Sequence, residues 1–170
     1  MRTFLGIDLN SEALKKVNNL MMGLSKSGFK GNYTRKENIH LTLLFLGELN
    51  ERQIDLVKSK MSEIDFSSFE IKINKLKKMK DMLILEVEKS QELLALQKEI
   101  ESKIKELNIK VESREYYPHI TLIREVNGII EKDLKITSDV DNFYLFSSSR
   151  INGILTYTKI YERRWDCGKS

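Results

Sequence analysis

Two short segments of the chain place a threonine two positions after a histidine and alternate these polar residues with apolar ones. They read HLTL at residues 40–43 and HITL at residues 119–122, and they hold the two histidines of the 170-residue chain. On a β-strand, side chains two positions apart point to the same face, roughly 6.5–7 Å apart. We therefore expect His40 to share a face with Thr42, and His119 with Thr121, above an apolar face that enters a core.

Two imidazoles and two hydroxyls that converge on one point suit attack on a phosphate diester. One neutral imidazole takes a proton from the nucleophile, and one imidazolium gives a proton to the departing oxygen. An ordinary histidine pKa near 6.5 makes both forms available at neutral pH. The threonine hydroxyls can donate hydrogen bonds to the phosphate oxygens on which charge develops. This chemistry requires no metal and no cofactor.

Histidines in such a pattern can also serve other kinds of site. A metal site is disfavoured, because there is no cysteine cluster and no helical pair of the H-E-x-x-H type. A Ser–His–Asp triad stays open, since its members need not be close in sequence, although no G-x-S-x-G motif is present. Duplicated structure without duplicated function also stays open.

The elements that must position these residues are predicted from hydrophobic periodicity. Helical spacing covers residues 11–26, 51–64 and 90–107, with Ser11 as the expected N-cap of the first helix. Seven segments have the composition of strands: RTFLGIDL, HLTLLFLG, FEIKINKL, MLILEVE, YYPHITLIREV, DNFYLFSSSR and GILTYTKIYERRW. The lysine-rich run at residues 75–80 is expected to be a solvated hairpin turn, and residues 127–140 a polar connection.

The two tetrads start 79 residues apart, which is close to half the chain. This spacing is too long for a solenoid repeat and fits an old internal duplication within one α+β domain over residues 1–170. Twenty-nine basic against 25 acidic residues give a net charge of +4, which permits a polyanionic partner such as RNA. The lone Cys167 excludes an intramolecular disulfide. With no signal peptide or membrane span predicted, we expect a cytoplasmic protein.

The surroundings of the tetrads resemble the 2H phosphoesterase superfamily, and within it the RNA 2′,3′-cyclic phosphodiesterases once called 2′–5′ RNA ligases. The resemblance rests on four segments in order: MRTFLGIDL, ENIHLTLLFLGEL, YPHITLIR and LFSSSRINGILTYTKI. It implies two pseudo-symmetric lobes, each an antiparallel sheet backed by helices, with the active-site cleft between them. It also implies metal-free opening of a 2′,3′-cyclic phosphate to a 2′-phosphate, on RNA 3′ ends or small cyclic nucleotides. We expect a monomer.

Position by position, the resemblance makes His40 the acid and His119 the base of the reaction. It makes Thr42 and Thr121 phosphate-binding residues and adds Arg124 as a further phosphate contact. No residue is assigned to a metal.

For two residues, the role implied by the resemblance does not follow directly from the strand pattern. By strict alternation Arg124 would face the core, and it reaches the cleft only if the strand ends or bulges near Ile123. The alternative is an exposed arginine at the end of the strand with no role in the cleft. Tyr33 corresponds to an aromatic residue that precedes the first motif in relatives. Packing in the core is the expected role of Tyr33, and stacking on a base is the alternative.

Two further functions use the same residues. A non-catalytic protein that binds RNA ends or nucleotides would use the cleft without turnover, although binding alone does not need two titratable imidazoles. A ligase would replace water by a 5′-hydroxyl as the nucleophile, and water at about 55 M makes hydrolysis the expected direction.

Overall fold

The computed structural model describes residues 1–112 and 114–165, so Cys167 lies outside the described residues. The chain forms β1 (Arg2–Ile7), α1 (Ser11–Lys26), β2 (Asn32–Tyr33), a 3-10 turn (Lys36–Asn38), β3 (Leu41–Glu48), α2 (Glu51–Glu63), β4 (Phe69–Met79), β5 (Met82–Val87), α3 (Gln91–Lys105), β6 (His119–Arg124), β7 (Lys132–Val140), β8 (Asn142–Ile151) and β9 (Ile154–Arg164). None of the helices in this part of the chain combines the length and apolar character needed to cross a bilayer.

The strands form two antiparallel sheets, which confirms the predicted α+β class. The first sheet has the order β3-β1-β8-β9 and the second the order β2-β6-β5-β4-β7. Each sheet takes strands from distant parts of the chain, so the sheets do not coincide with the two halves of the sequence. The first sheet combines the first and the last strands, and the second is built mainly from the middle of the chain.

The expected internal repeat is visible as a β-α-β unit. β1, α1 and β3 form the first copy, and β5, α3 and β6 form the second. In both copies the two strands are antiparallel neighbours. In the first copy β3 directly follows His40, and in the second copy β6 begins with His119. The repeat ends there, because a helix follows β3 whereas a strand follows β6.

All three predicted helices are present, but the N-cap of α1 was assigned to the wrong residue. Asn10 is the cap, and its side-chain oxygen accepts a hydrogen bond from the backbone N–H of Ala13. Ser11 is already the first helical residue and is exposed. Both residue types cap well, so composition alone did not separate the two positions.

The lysine-rich run was wrongly predicted to be a turn. β4 continues to Met79, and the turn consists of Lys80 and Asp81, with Lys80 at a positive φ of 55°. Leu76 is fully buried, whereas Lys75 and Lys77 are half-buried on the other face. A strand accepts such lysines when their apolar neighbour fills the core.

The predicted polar connection hides the strand β7. Ile136, Ser138 and Val140 are buried on one face, and the residues between them are exposed. The hydroxyl of Ser138 accepts a hydrogen bond from the backbone N–H of Asn10. The strand was missed because one inward position is polar and because, as an edge strand, it has a polar outer face.

The apolar core is a continuous cluster that includes both sheets and all three helices. A second, smaller cluster of aromatic residues lies apart from it, and it consists of Phe4, Tyr144, Phe146 and Tyr157. β1, β8 and β9 therefore contribute to two layers, an aliphatic core and an aromatic surface layer.

Replacing Asn10 by alanine is expected to lower the free energy of unfolding by about 1 kcal/mol, because an N–H group of the first turn of α1 loses its acceptor. Ser11→Ala is the matched control and should change stability by less than about 0.5 kcal/mol. Urea denaturation followed by circular dichroism measures both. Equal losses in the two variants would contradict the assignment of the cap.

Candidate active site

Both histidines lie at the start of a strand where the two sheets meet. His40 immediately precedes β3, and His119 is the first residue of β6. β3 is the edge strand of the first sheet, and it contacts β6 of the second sheet. The fold thus brings together the two tetrads that the sequence singled out.

The two imidazole rings are oriented by the same backbone interaction. Nδ1 of His40 lies 2.7 Å from the carbonyl oxygen of Asn38, and Nδ1 of His119 lies 2.8 Å from that of Tyr117. A carbonyl oxygen only accepts hydrogen bonds, so Nδ1 carries a hydrogen in both rings. Nε2 is therefore the nitrogen that can take up or release a proton.

These contacts bear on the alternative sites. A Ser–His–Asp triad needs a carboxylate at Nδ1 of its histidine, and here both Nδ1 atoms are bonded to backbone carbonyls. Within residues 1–112 and 114–165, no three His, Cys, Asp or Glu side chains are grouped so that they could hold a metal ion. Each imidazole instead has its own backbone carbonyl as the partner of Nδ1.

The strand of the first motif contains a β-bulge directly after its threonine. Thr42 pairs with Gly6 and Leu44 pairs with Leu5, so that Leu43 is the extra residue. Gly6 is required here, because a Cβ at this position would lie 2.9 Å from the carbonyl oxygen of Leu41. The absence of a side chain allows β1 and β3 to approach beneath the motif.

The strand of the second motif has the same irregularity. Thr121 pairs with Ile84 and Ile123 pairs with Leu83, so that Leu122 is the extra residue. Leu122 and Ile123 are both fully buried. In a regular strand with one face on the core, two consecutive side chains would point to opposite faces, and the bulge removes this restriction.

Each bulge returns the following residue to the face of the histidine. In β6 this residue is Arg124, which is exposed as predicted for a strand that bulges near Ile123. In β3 the equivalent residue is Phe45, whose surface is 66% exposed. The sequence interpretation missed Phe45, although the 79-residue offset that relates the histidines also relates Phe45 to Arg124.

Charge interactions tie His40 to the second motif. Burial lowers the pKa of the His40 imidazole below its ordinary value, and the hydrogen bond to Asn38 opposes this shift. The positive charges of Arg124 and His119 lower the pKa further. All three groups therefore lie within the range of effective Coulomb interaction.

His40 is surrounded mainly by aromatic rings. The ring centroids of Phe4, Tyr157 and Phe146 lie 4.8, 5.0 and 6.1 Å from that of His40. Nε2 of His40 is 3.0 Å from the hydroxyl of Thr42. The apolar rings explain why the charged imidazolium is disfavoured here.

The residue that orients His40 is itself held by β9. Asn38 is buried; its side-chain amide donates to the carbonyl oxygen of Leu155 and accepts from the backbone N–H of Tyr157. The carbonyl group of Asn38 is thus fixed relative to the first sheet, and the imidazole of His40 with it.

His119 has more polar surroundings. Its ring lies 5.4 Å from that of Tyr117, whose hydroxyl donates to the carboxylate of Glu86 at 2.7 Å. Glu86 is the direct cross-strand partner of His119 and also accepts from Lys77. Burial and this carboxylate raise the pKa of Tyr117 to about 12, so its hydroxyl stays protonated.

Tyr33 packs against the main core as a half-buried residue, and its hydroxyl donates to the carbonyl oxygen of Phe29. The expected core-packing role is confirmed, and stacking on a base stays a prediction.

The chain matches one family over most of its length. The model of "LigT like Phosphoesterase" covers residues 7–83 and 85–156. The RNA 2′,3′-cyclic phosphodiesterase of Thermotoga maritima is 30% identical over a 184-residue alignment, which covers 99% of this chain and 97% of that relative.

Solved structures share the fold at lower sequence identity. A protein of Thermus thermophilus superposes with a TM-score of 0.85 at 19% identity, over 96% of this chain and 97% of its own. LigT of Escherichia coli complexed with 3′-AMP superposes with a TM-score of 0.81 at 20% identity, over 96% of each chain. The predicted fold is confirmed by these similarities.

Replacing Arg124 by alanine is expected to raise the pKa of His40, because one of the positive charges that disfavour the imidazolium is removed. NMR titration of the Hε1 resonance measures the pKa, and the His40→Ala variant assigns the signal. Arg52→Ala removes an equal charge from the exposed start of α2 and should leave the pKa unchanged. A His40 pKa that does not respond to Arg124→Ala would contradict the described geometry.

Proposed function

Because the chain belongs to the LigT-like family of phosphoesterases, we propose that it hydrolyses 2′,3′-cyclic phosphates at RNA ends to 2′-phosphates. The relative from Thermotoga maritima bears the name of this activity. The observation that carries the proposal is the pair of imidazoles, each with Nδ1 bonded to a backbone carbonyl and Nε2 left for proton transfer.

In the proposed reaction, His119 acts as the general base. Its Nε2 takes a proton from water while the water oxygen attacks phosphorus. The bond from phosphorus to the 3′-oxygen breaks, and Nε2 of imidazolium His40 gives its proton to that oxygen. The products are a 2′-phosphate and a 3′-hydroxyl, and exchange with solvent restores both histidines. Each imidazole supplies about 10²–10⁴-fold in rate without a metal ion.

The acid role of His40 requires that substrate binding changes its protonation. In the absence of substrate, burial and positive neighbours favour the neutral ring. A bound phosphate anion would counter the charges of Arg124 and His119 and would favour the imidazolium. His40 would then take up its proton as the substrate binds. Such uptake is expected where the substrate is a phosphate anion.

Three side chains are proposed to hold the phosphate. Thr42 and Thr121 lie on the histidine faces of their strands, where their hydroxyls can donate to non-bridging oxygens. Arg124 reaches the same face because of the bulge and supplies a permanent positive charge. These residues would stabilise the additional charge of the transition state.

The aromatic layer of the first sheet supports a nucleotide as the substrate. Phe45 is exposed beside the motif, and its ring lies 6.1 Å from that of Phe4, which in turn contacts His40. A planar base can stack on such a ring, which is worth about 1–3 kcal/mol per base. LigT of Escherichia coli has been crystallised with 3′-AMP, and we propose that Phe45 contacts the base of a terminal nucleotide here.

Replacement of His40 or His119 by alanine is expected to reduce turnover at least about 100-fold, because each variant lacks one proton-transfer group. A short RNA with a 2′,3′-cyclic phosphate is incubated with protein and EDTA, and ³¹P NMR follows the terminal phosphorus. The unmodified protein should produce a 2′-monophosphate. Binding without turnover would favour the non-catalytic alternative, and joining to an added 5′-hydroxyl RNA would favour the ligase.

The assignment of acid and base is tested with bis(4-nitrophenyl) phosphate. Its leaving group departs as a stable phenolate and needs no acid. Relative to the unmodified protein, His40→Ala should therefore lose much less activity on this diester than on the cyclic phosphate. His119→Ala should lose activity on both substrates. The opposite pattern would reverse the two roles.

A further inference from the structure

The carbonyl groups of the two motif threonines are each bound by a hydroxyl from the segment that leads to the other histidine. The hydroxyl of Tyr116, three residues before His119, donates to the carbonyl oxygen of Thr42 at 2.7 Å. The hydroxyl of Thr34, six residues before His40, donates to the carbonyl oxygen of Thr121 at 2.9 Å. We call these two reciprocal hydrogen bonds the clasp.

The clasp occupies strand edges that backbone pairing leaves open. β3 ends the first sheet, so the outer side of Thr42 has no neighbouring strand in that sheet. On the outer side of β6, the short β2 pairs only with Ile123 and Arg124. Thr34 follows β2 and continues the contact, since its backbone N–H donates to the carbonyl oxygen of Leu122.

The outer edge of β3 is bound by one more side chain, which comes from the second copy of the repeat. Nε2 of Gln97, on α3, donates to the carbonyl oxygen of Leu43 at 3.2 Å, and this bond is buried. Burial also raises the pKa of Tyr116, so the tyrosine remains a hydrogen-bond donor. The bulge of the first motif is therefore held on both sides of β3. On one side β1 pairs with it, and on the other side Tyr116 and Gln97 bind its carbonyl groups.

We propose that Tyr116 and Thr34 are positioning residues that set the separation of the two histidines. No ladder of backbone hydrogen bonds joins the two sheets in the described structure. In addition to apolar packing, the clasp supplies directional bonds between the segment that precedes each histidine and the strand of the other motif. The clasp acts on the backbone of the residues that also carry the phosphate-binding hydroxyls. A displacement of about 1 Å at such a point can cost about 100-fold in rate.

The proposal rests on the function proposed above, and kinetics provide the first test. Tyr116→Phe and Thr34→Val remove one hydroxyl each with little change in shape. Each is expected to reduce kcat at least about tenfold and to change KM less than about threefold. Thr34→Ser keeps a hydroxyl and should retain activity. Tyr33→Phe removes a neighbouring tyrosine hydroxyl outside the clasp and should have no effect.

A second measurement does not depend on turnover. The charge of His119 lowers the pKa of His40, so His119→Gln should raise it, and the size of that rise reports the distance between the rings. The rise is measured by NMR titration with and without Tyr116→Phe. It should shrink when the clasp is broken, since the rings can then move apart.

The outcomes separate the two proposals. Unchanged kcat in folded Tyr116→Phe and Thr34→Val variants would overturn the positioning role. So would a loss of kcat with an unchanged response of His40 to His119→Gln, because the effect would then not pass through the spacing of the histidines. If the unmodified protein turns over no cyclic phosphate but the response shrinks, the proposed function fails and the clasp stands.

Discussion

The site depends on the alternation of side chains along a strand, because the two motif strands must place apolar residues in the core and polar residues at the site. Side chains alternate strictly, so a run such as Leu43-Leu44 or Leu122-Ile123 cannot enter the core without a break in the register. The bulge provides this break in both motifs. It buries both apolar residues and returns the next side chain to the histidine face, where Arg124 and Phe45 lie. One face of each bulged strand thus packs in the core, and the other face carries the histidine and threonine of the motif.

The two copies of the motif have kept their geometry but not their surroundings. Both imidazoles are fixed by a carbonyl group two residues earlier, and both strands bulge after the threonine. Yet His40 is enclosed by aromatic rings from three strands, whereas His119 adjoins Tyr117 and the carboxylate of Glu86. Such neighbours decide how a titratable group behaves, and those of His40 lower its pKa. Duplication of the motif therefore did not duplicate its electrostatic environment.

Much of this arrangement could be predicted from the sequence, because it is local. The helices follow from apolar spacing, and the paired tetrads indicate the site and the family. The errors have non-local causes. β7 was missed because the burial of Ser138 depends on Asn10, far away in sequence. The lysines at the end of β4 looked solvated because the carboxylate of Glu86 that pairs with Lys77 lies on another strand. The position of Arg124 depends on a bulge that shows only in the pairing with β5. Nothing in the residue types pointed to the clasp, since each of its bonds joins residues that are far apart in the sequence.

The order of strands in the first sheet has a consequence for how the protein is made. β1 lies between β3 and β8, and Gly6, beneath the first motif, pairs with Tyr144. A ribosome therefore releases both histidine tetrads well before the strands that complete the first sheet. Until then one edge of β1 is unpaired, and His40 lacks the rings of Phe146 and Tyr157. Such long-range pairing is slow, and open strand edges invite association with other chains. The nascent chain thus carries both histidine tetrads for a time without the aromatic rings that surround His40 in the folded protein.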